Sequence, residues 1–441
     1  MKIRRILFSS LLIIFFSGPA FAQSEVWTLS DCIHTALEHN LQVRQTVLTS
    51  EIKQVNKEQA RASRFPTLDA SVRQNFSWSD QQNAEGGYDF NDYNNTNLSL
   101  SSNLNLFNGF RTSSSIRQSQ LEYNASTLDT EASRENISLQ VLDYYLQVLY
   151  AEEQLQNSNN QLLSTQQQLA LAGERMALRI ISKADYLQVK AQEANEKLLV
   201  ANAVKQLQLS RLNLMQIMEI PVNDSFAIEK PDFSQTGKQL NVSSADKIYA
   251  TALEIKPQIK SAALQKQISA YDMEIAKAGY FPQLSLNAGL SSGYNSLAES
   301  LKFASQLDHN LTPTLGLTLS MPIFQQKQVR SQVSLAKINQ TSAEINEQNI
   351  RNQLRKSVET AWANVLSAEN EYDASNEQYT ATAESFQVTT ERFQQGVINS
   401  VDFLYEKTNL INAESKLLQA RYNLIFNYKV LDFYQGKPLE L

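Results

Sequence analysis

The sequence predicts a mixed α/β membrane protein, mainly helical. Two versions of one unit follow each other along the chain, each with a long coiled-coil helical hairpin and two of four membrane β-strands. Three observations carry this. The stretch "ERMALRIISKADYL" at 174–187 returns as "ERFQQGVINSVDFL" at 391–404, with Glu, Arg, Ile, Asp and Leu in the same places. Apolar residues recur at steps of three and four through runs of about 65 residues free of Pro and Gly. Four short segments alternate apolar and polar instead.

Residues 1–22 read as a secretory signal peptide: Lys2, Arg4 and Arg5, an apolar run from Ile6 to Phe16, then Ala20-Phe21-Ala22 before a cleavage point. The mature chain is expected to begin at Gln23, outside the inner membrane. The residue after the cleavage point is Gln23 and not Cys, so no lipidated N-terminus is expected. Cys32, the only Cys, cannot form an internal disulfide and reads as a small buried helix residue. Loss of the leader takes the 39 basic residues to 36 against 45 acidic, a formal charge of −9, which argues against a nucleic-acid partner. Beyond the leader no uninterrupted apolar stretch reaches the roughly 18 residues of a membrane-crossing helix.

The repeat organises the rest. "TALE" stands at 35–38 and at 251–254, and "FP" at 65–66 and 281–282, both 216 residues apart. After one inserted residue the offset is 217, for Phe107 and Phe324, the stretch quoted above, and Pro221 and Pro438. The first repeat is therefore 23–221 and the second 242–441. The polar, turn-rich residues 222–241 read as a linker.

Each repeat opens with a helical pattern, about 29–63 and 245–279. Strands follow at about 67–78 and 97–107, then at 283–290 and 314–324. At 314–321 Leu315, Leu317, Leu319 and Met321 share one face and Thr314, Gly316, Thr318 and Ser320 the other. The polar faces of 97–106 and 314–320 carry no charge, as a wet lumen requires, and Phe65, Phe107, Phe110, Tyr280, Phe281 and Phe324 gather at the helix-proximal strand ends, as at a membrane interface. The alternative is a soluble amphipathic sheet packed on the helices; if the strands are in the membrane, four cannot close a barrel and lipid cannot satisfy an open edge, so the protein must oligomerise. The hairpins occupy about 110–218 and 327–434. One seam runs through Ile137, Val141, Tyr144, Val148 and Ala151 to Met176, the other through Ile350, Leu354, Val358 and Ala361 to Phe393. At ~1.5 Å rise, helices of about 65 residues are roughly 100 Å long. The two shorter helical patterns of each half, laid end to end, match the long one.

The repeated turn lies at the hairpin tip. Ser182-x-x-Asp185 and Asn399-x-x-Asp402 have capping-box spacing, with each carboxylate near the positive end of a helix. A capping carboxylate can still present charge to a pore, so both roles stay open for Asp185 and Asp402. Gly396 corresponds to Arg179, so the two turns need not share one backbone conformation. Enzyme chemistry and cofactors are not expected: His34 and His39 fall on different helix faces, His309 lies in a polar loop between strands, and no Cys pair or glycine-rich phosphate loop is present.

The leader, the two halves of strand hairpin and helical hairpin, "FP" before the first strand of each half, "PIF" at 322–324 and "RFQQGVINSVDFL" at 392–404 together resemble the TolC family of outer-membrane factors. The resemblance covers nearly the whole mature chain. It implies a homotrimer in the outer membrane, with a 12-stranded barrel surrounded by outer-membrane lipid and continued by an α-helical tunnel across the periplasm. It also implies two protein partners, a periplasmic adaptor and an inner-membrane transporter. The implied function is an exit duct for small-molecule efflux or, alternatively, for type I protein secretion; a periplasmic coiled-coil structural protein is the reading from another class. In the family, acidic residues after the second turn ring the pore, which points to Asp402 and its first-half counterpart Asp185. A second ring residue one turn onward is here Tyr405, and the family's latch Arg and Tyr are here Ile398 and Phe393. The tip turn thus comprises Phe393, Gly396, Ile398, Asn399, Arg179 and Ser182. Glu174, Arg175, Glu391 and Arg392 read as solvated tip charges or, under the resemblance, as adaptor contacts.

Overall fold

The computed structural model describes residues 26–82, 86–231, 244–297 and 302–441. The expected leader and residues 232–241 of the expected linker lie outside them. The first half runs β1 (Val26–Trp27), α1 (Leu29–His39), α2 (Leu41–Ala62), β2 (Thr67–Gln82), β3 (Tyr88–Phe107), α3 (Arg111–Ala177), α4 (Lys183–Ile217) and β4 (Ala227–Ile228). The second runs α5 (Ala245–Ile255), α6 (Pro257–Lys277), β5 (Gln283–Asn295), α7 (Phe303–His309), β6 (Thr312–Ser320), α8 (Gln328–Gln394) and α9 (Ser400–Tyr434). The long helices α3 and α8 both have 67 residues, and α4 and α9 both have 35. Among the described residues no helix is long and apolar enough to cross a membrane.

Long helices need their apolar seam covered along the whole length. In the first half α2 and α4 both pack on α3. Their ends meet: Asn40, which caps α2, donates its Nδ2–H to the Ile217 carbonyl at the end of α4, 3.0 Å away. The second half repeats the junction with different chemistry. Lys256 precedes α6 and places its Nζ 3.2 Å from the Phe433 ring centroid at the end of α9, with Glu135 of α3 as ion-pair partner at 3.1 Å. Burial pulls the Lys256 pKa down, and Glu135 opposes that shift. One core joins Leu29, Cys32 and Ala36 of α1 to Ile137, Val141, Val148 and Ala151 of α3; the other joins Ile248 and Ala252 of α5 to Leu354, Val358, Ala361 and Val365 of α8. Cys32 is fully buried, and burial pushes its thiol pKa up to about 12, so it packs as a small apolar residue.

Two details differ from the sequence expectation. The seam of α3 takes Tyr145 into the core where Tyr144 is expected, because the Tyr145 hydroxyl reaches the carbonyls of Glu229 (2.7 Å) and Trp27 (3.3 Å). Those carbonyls flank the parallel pair β1–β4, so the segment read as a linker contributes a strand and buries Phe226 and Ile228.

Strands β2, β3, β5 and β6 form one antiparallel sheet in that order, with β2 and β6 at open edges. Cross-strand partners share a face. Ala70, Leu100, Leu290 and Pro313 lie in one row, and Leu104, Leu286 and Leu317 in another, on the apolar face. The opposite face carries Asn103, Asn287 and Gly316, then Ser71, Ser99, Ser291 and Thr312, joined by side-chain bonds such as Asn103 Nδ2 to Asn287 Oδ1 (2.6 Å). From Leu284 to Tyr294 the apolar face of β5 spans ten residue steps, about 26 Å at ~3.4 Å per step and ~40° tilt, the height of a barrel's lipid band. The strands also differ in extent from the expectation. β2 and β3 continue past their expected upper ends to pair Gln82 with Tyr88. β6 stops at Ser320, before the expected Met321–Phe324, because Pro322 has no N–H for the ladder. The connection around His309 holds α7 where the sequence reads as loop.

The repeat is written most clearly in the backbone. Non-helical positive φ values occur in pairs at the 217 offset: Gly109 with Gln326, Phe110 with Lys327, Arg179 with Gly396, and Glu219 with Gly436. The two tip turns therefore do share a conformation, contrary to the freedom the Gly-to-Arg difference allows. Ile180 N–H bonds the Arg175 carbonyl (2.8 Å) and Val397 N–H the Arg392 carbonyl (2.9 Å), the same six-residue closure of a helix C-terminus. The two turns differ in the strain they carry, since Arg179 holds φ 59° with a Cβ and Gly396 holds φ 74° without one. Gly396→Ala is expected to destabilise by about 1–2 kcal/mol, from φ alone because its Cβ would meet open space. Gly109→Ala should cost about 3 kcal/mol or more, because its Cβ would also lie 2.7 Å from the Ala278 carbonyl oxygen and 2.8 Å from Phe281 Cβ. Arg179→Gly should be neutral or stabilising. Thermal unfolding followed by circular dichroism ranks the three.

Candidate functional site at the helix tips

Both hairpins end at the same place, and side chains tie them together there. Ser182 caps α4: its Oγ accepts from Asp185 N–H (3.1 Å), and Asp185 Oδ2 accepts in return from Ser182 N–H (3.2 Å) and Oγ–H (2.7 Å). The second oxygen of Asp185 faces the other hairpin and accepts from Ser400 Oγ at 2.6 Å. Arg175 adds a bond from its guanidinium to the Gln394 carbonyl (3.2 Å). Phe393 stacks on Phe403 at 4.5 Å between centroids, and Phe403 is buried. A cavity of about 520 Å³ remains between the two turns, lined by Arg175, Ile180, Asp185, Phe393, Ile398 and Ser400 among others.

The two acidic residues of the repeated turn thus have different environments. Asp185 is half-buried and fully engaged, and the donors Ser400 and Ser182 hold its carboxyl below the ordinary carboxylate range. Asp402 donates its N–H to Asn399 Oδ1 (2.9 Å), so Asn399 caps α9. Unlike Ser182, whose N–H and Oγ–H both donate to the Asp185 carboxylate, Asn399 makes no return bond to the Asp402 carboxylate. Among the described residues the Asp402 carboxylate has no hydrogen-bond or ion-pair partner, and it is exposed beside Val401 and Tyr405. Arg179 and Asn399 are exposed, Ile398 is half-buried, and Glu174, Glu391 and Arg392 point to solvent.

Three turns further up, the structure holds a group that sequence reasoning missed. Lys407 Nζ lies 3.3 Å from Glu196 Oε1 with both side chains almost wholly buried, and it also donates to Thr165 Oγ1. Gln192 donates to the same Glu196 oxygen at 3.0 Å, while Glu196 Oε2 is buried without a partner. This network joins α3, α4 and α9 in the middle of the packed seams. Burial lowers the Lys407 pKa and Glu196 raises it. A sequence signal for it existed: Val189, Glu196, Ala203 and Ser210 are spaced by seven and all buried, so Glu196 occupies a core position.

A carboxyl with a depressed folded pKa contributes stability above its unfolded pKa of about 4, and loses it as pH falls through the folded value. Ser400→Ala is therefore expected to destabilise the tips at neutral pH, by under about 1 kcal/mol given the solvent nearby. The difference should narrow in strong acid, where Asp185 is protonated in both proteins and only the contact of Ser400 Oγ with Gln188 Oε1 (2.7 Å) is still lost. Melting curves of the two proteins at pH 7 and in strong acid check this.

With this geometry in hand, comparison with known proteins places the chain. Residues 32–218 and 248–436 match the family model "Outer membrane efflux protein". The "Pyoverdine export outer membrane protein OpmQ" of Pseudomonas aeruginosa is 26% identical over 54% of this chain and 46% of its own length. The "Outer membrane protein TolC" of Escherichia coli is 23% identical over 67% of this chain and 60% of its own. The match thus spans about half of these relatives' length. The "Alkaline protease secretion protein AprF" of Pseudomonas aeruginosa is 23% identical over 92% of this chain and 84% of its own length. Among solved structures, CusC superposes with a TM-score of 0.81 over 93% of this chain and 92% of its own, at 18% identity. The Campylobacter jejuni CmeC outer membrane channel gives 0.78 over 100% of this chain and 95% of its own, also at 18% identity. On the strength of the family match, the chain belongs to the outer membrane efflux proteins.

Proposed function

We propose that this chain is the protomer of a trimeric exit duct that passively carries small molecules out through the outer membrane. In this reading, a periplasmic adaptor and an inner-membrane transporter deliver the cargo. The observation that carries the proposal is the four-stranded sheet: one face apolar over the height of a lipid band, the other face Ser, Asn and Thr, both edges open, and a ~100 Å helical shaft attached below. Three copies would close 12 strands and leave no edge in lipid. The shaft supports the same assembly, because apolar stripes at coiled-coil spacing stay exposed in a single chain: Leu41, Leu48, Ile52 and Val55 on α2, and Leu335, Ile338 and Ile345 on α8. The relatives' names support export of a small molecule in one case and secretion of a protein in another. Protein secretion is therefore the second reading.

At the tip, Asp402 supplies the pore charge, and Asp185 works between the hairpins of one protomer. Three Asp402 carboxylates around a narrow axis reinforce one another's field, because low-dielectric walls screen them less than open water does. Tyr405 and Ile398 stand where a second ring carboxylate and a latch Arg would be, so neither adds to this charge nor offsets it. Phe393 is committed to the ring stack on Phe403.

Two outcomes are expected. After mild detergent extraction of outer membranes, the native mass should equal three chains, and Ile52→Glu should shift it to one; a monomeric wild type would overturn the duct. In planar bilayers under a salt gradient, the wild type should favour cations. Asp402→Asn should move the reversal potential toward zero while melting changes by less than about 0.5 kcal/mol, since Asn399 remains the cap. Unchanged selectivity would remove Asp402 from the pore.

A further inference from the structure

The two strand hairpins use nearly the same length of chain differently. Between Thr67 and Phe107 it builds two long strands of 16 and 20 residues; between Gln283 and Ser320 it builds strands of 13 and nine with α7 between them. β6 ends its pairing with β5 at Ser291–Thr312, which leaves the upper edge of β5 without a strand. Side-chain amides of the α7 segment take that place. Gln306, almost fully buried, donates to the Asn295 carbonyl (3.1 Å) and accepts from Asn295 N–H (2.9 Å); Asn310 Nδ2 donates to the Gly293 carbonyl (2.7 Å). Ser292 Oγ donates to the Leu307 carbonyl at 2.5 Å, and Phe303 packs on Tyr294 at 5.0 Å. α7 therefore stands where β6 would continue, directly above its end.

The other open edge has the complementary need. β2 has 16 residues, so the nine of a neighbouring β6 leave at least seven of its residues unpaired whatever the register. β2 and β3 pair to the top, up to Gln82 with Tyr88, so this upper ribbon is ordered strand with a bare outer edge. Phe76 and Trp78 stand on it, stacked at 6.5 Å and exposed, on the same face of the sheet as Tyr294. Across the closure, the element waiting above β6 is α7, with Phe303 half-exposed.

We infer that α7 is an inter-protomer contact: in one chain it receives the upper edge of β2 of a second copy, with Phe76 and Trp78 against Phe303. The inference rests on the trimeric reading and adds the residues that close its outer mouth. The occupant is a second copy because α7 stands in line with β6, the edge that closes on β2, and because the nine residues of β6 cannot cover the 16 of β2 in any register.

The test uses the full chain in outer membranes with Cys32 replaced by Ser. Trp78→Cys combined with Phe303→Cys, treated with thiol-to-thiol linkers of graded length, should give covalent dimers and trimers on a denaturing gel, and either single substitution none. Asp80→Cys with Ala304→Cys, on the same sheet face as Trp78 and leaving the rings in place, should give the same products. If neither pair cross-links while the native mass is three chains, the contact is wrong and the duct stands. A native mass of one chain would overturn both.

Discussion

A helix of 67 residues cannot be stable alone in water, because its apolar seam must be covered from end to end. None of the helices packed along it is as long, so the seam of α3 is covered by α2 and α4 meeting end to end, and that of α8 by α6 and α9. Helix ends therefore fall in the middle of the shaft, where water cannot satisfy them. The junction residues Asn40 and Lys256 answer this in two chemistries, one neutral amide and one cation held by Glu135 and an aromatic face. The placement of α1, α5, the β1–β4 pair and Tyr145 around these junctions follows from the same requirement.

The polar groups inside the shaft serve alignment more than stability. A buried ion pair such as Lys407–Glu196 repays its desolvation only with good geometry and full hydrogen bonding, and here one oxygen of Glu196 has no partner. An apolar pair at this position would pack in several registers, while a lysine that must find one carboxylate fixes α9 against α4. The tip contacts below it, Ser400 with Asp185 and Phe393 with Phe403, can then meet with side chains too short to tolerate a slip.

Most of the architecture was legible because two periods are hard to confuse. Steps of three and four over some 65 residues and strict alternation at 314–320 each bury one face in only one conformation. What was not legible depended on partners far away in sequence. The seam at Tyr144 and Tyr145 was decided by carbonyls near Trp27 and Glu229, and the strand at 227–228 by its neighbour at 26–27. At the tip, Asp185 and Asp402 look alike in sequence. They part company because Ser182 bonds back to the Asp185 carboxylate while Asn399 does not bond back to that of Asp402, and because Asp185 also meets Ser400 of the other hairpin. The shared turn at Arg179 and Gly396 was hidden for the opposite reason: the backbone has the same conformation in the copy that lacks the residue that suits it.

The equal lengths of the two copies restrict how this molecule can change over generations. Both hairpins must end level for the tips to touch, so a shaft can lengthen or shorten only if α3, α4, α8 and α9 all gain or lose whole heptads together. A single-residue insertion in any one of them would rotate its seam by about 100° and leave its tip a step away from the other. The one residue by which the repeats have drifted lies between Pro282 and Phe324, in the strand hairpin, where a connection can absorb it. Length in the shaft is thus inherited as a single trait of the duplicated chain, while the outer end is free to vary.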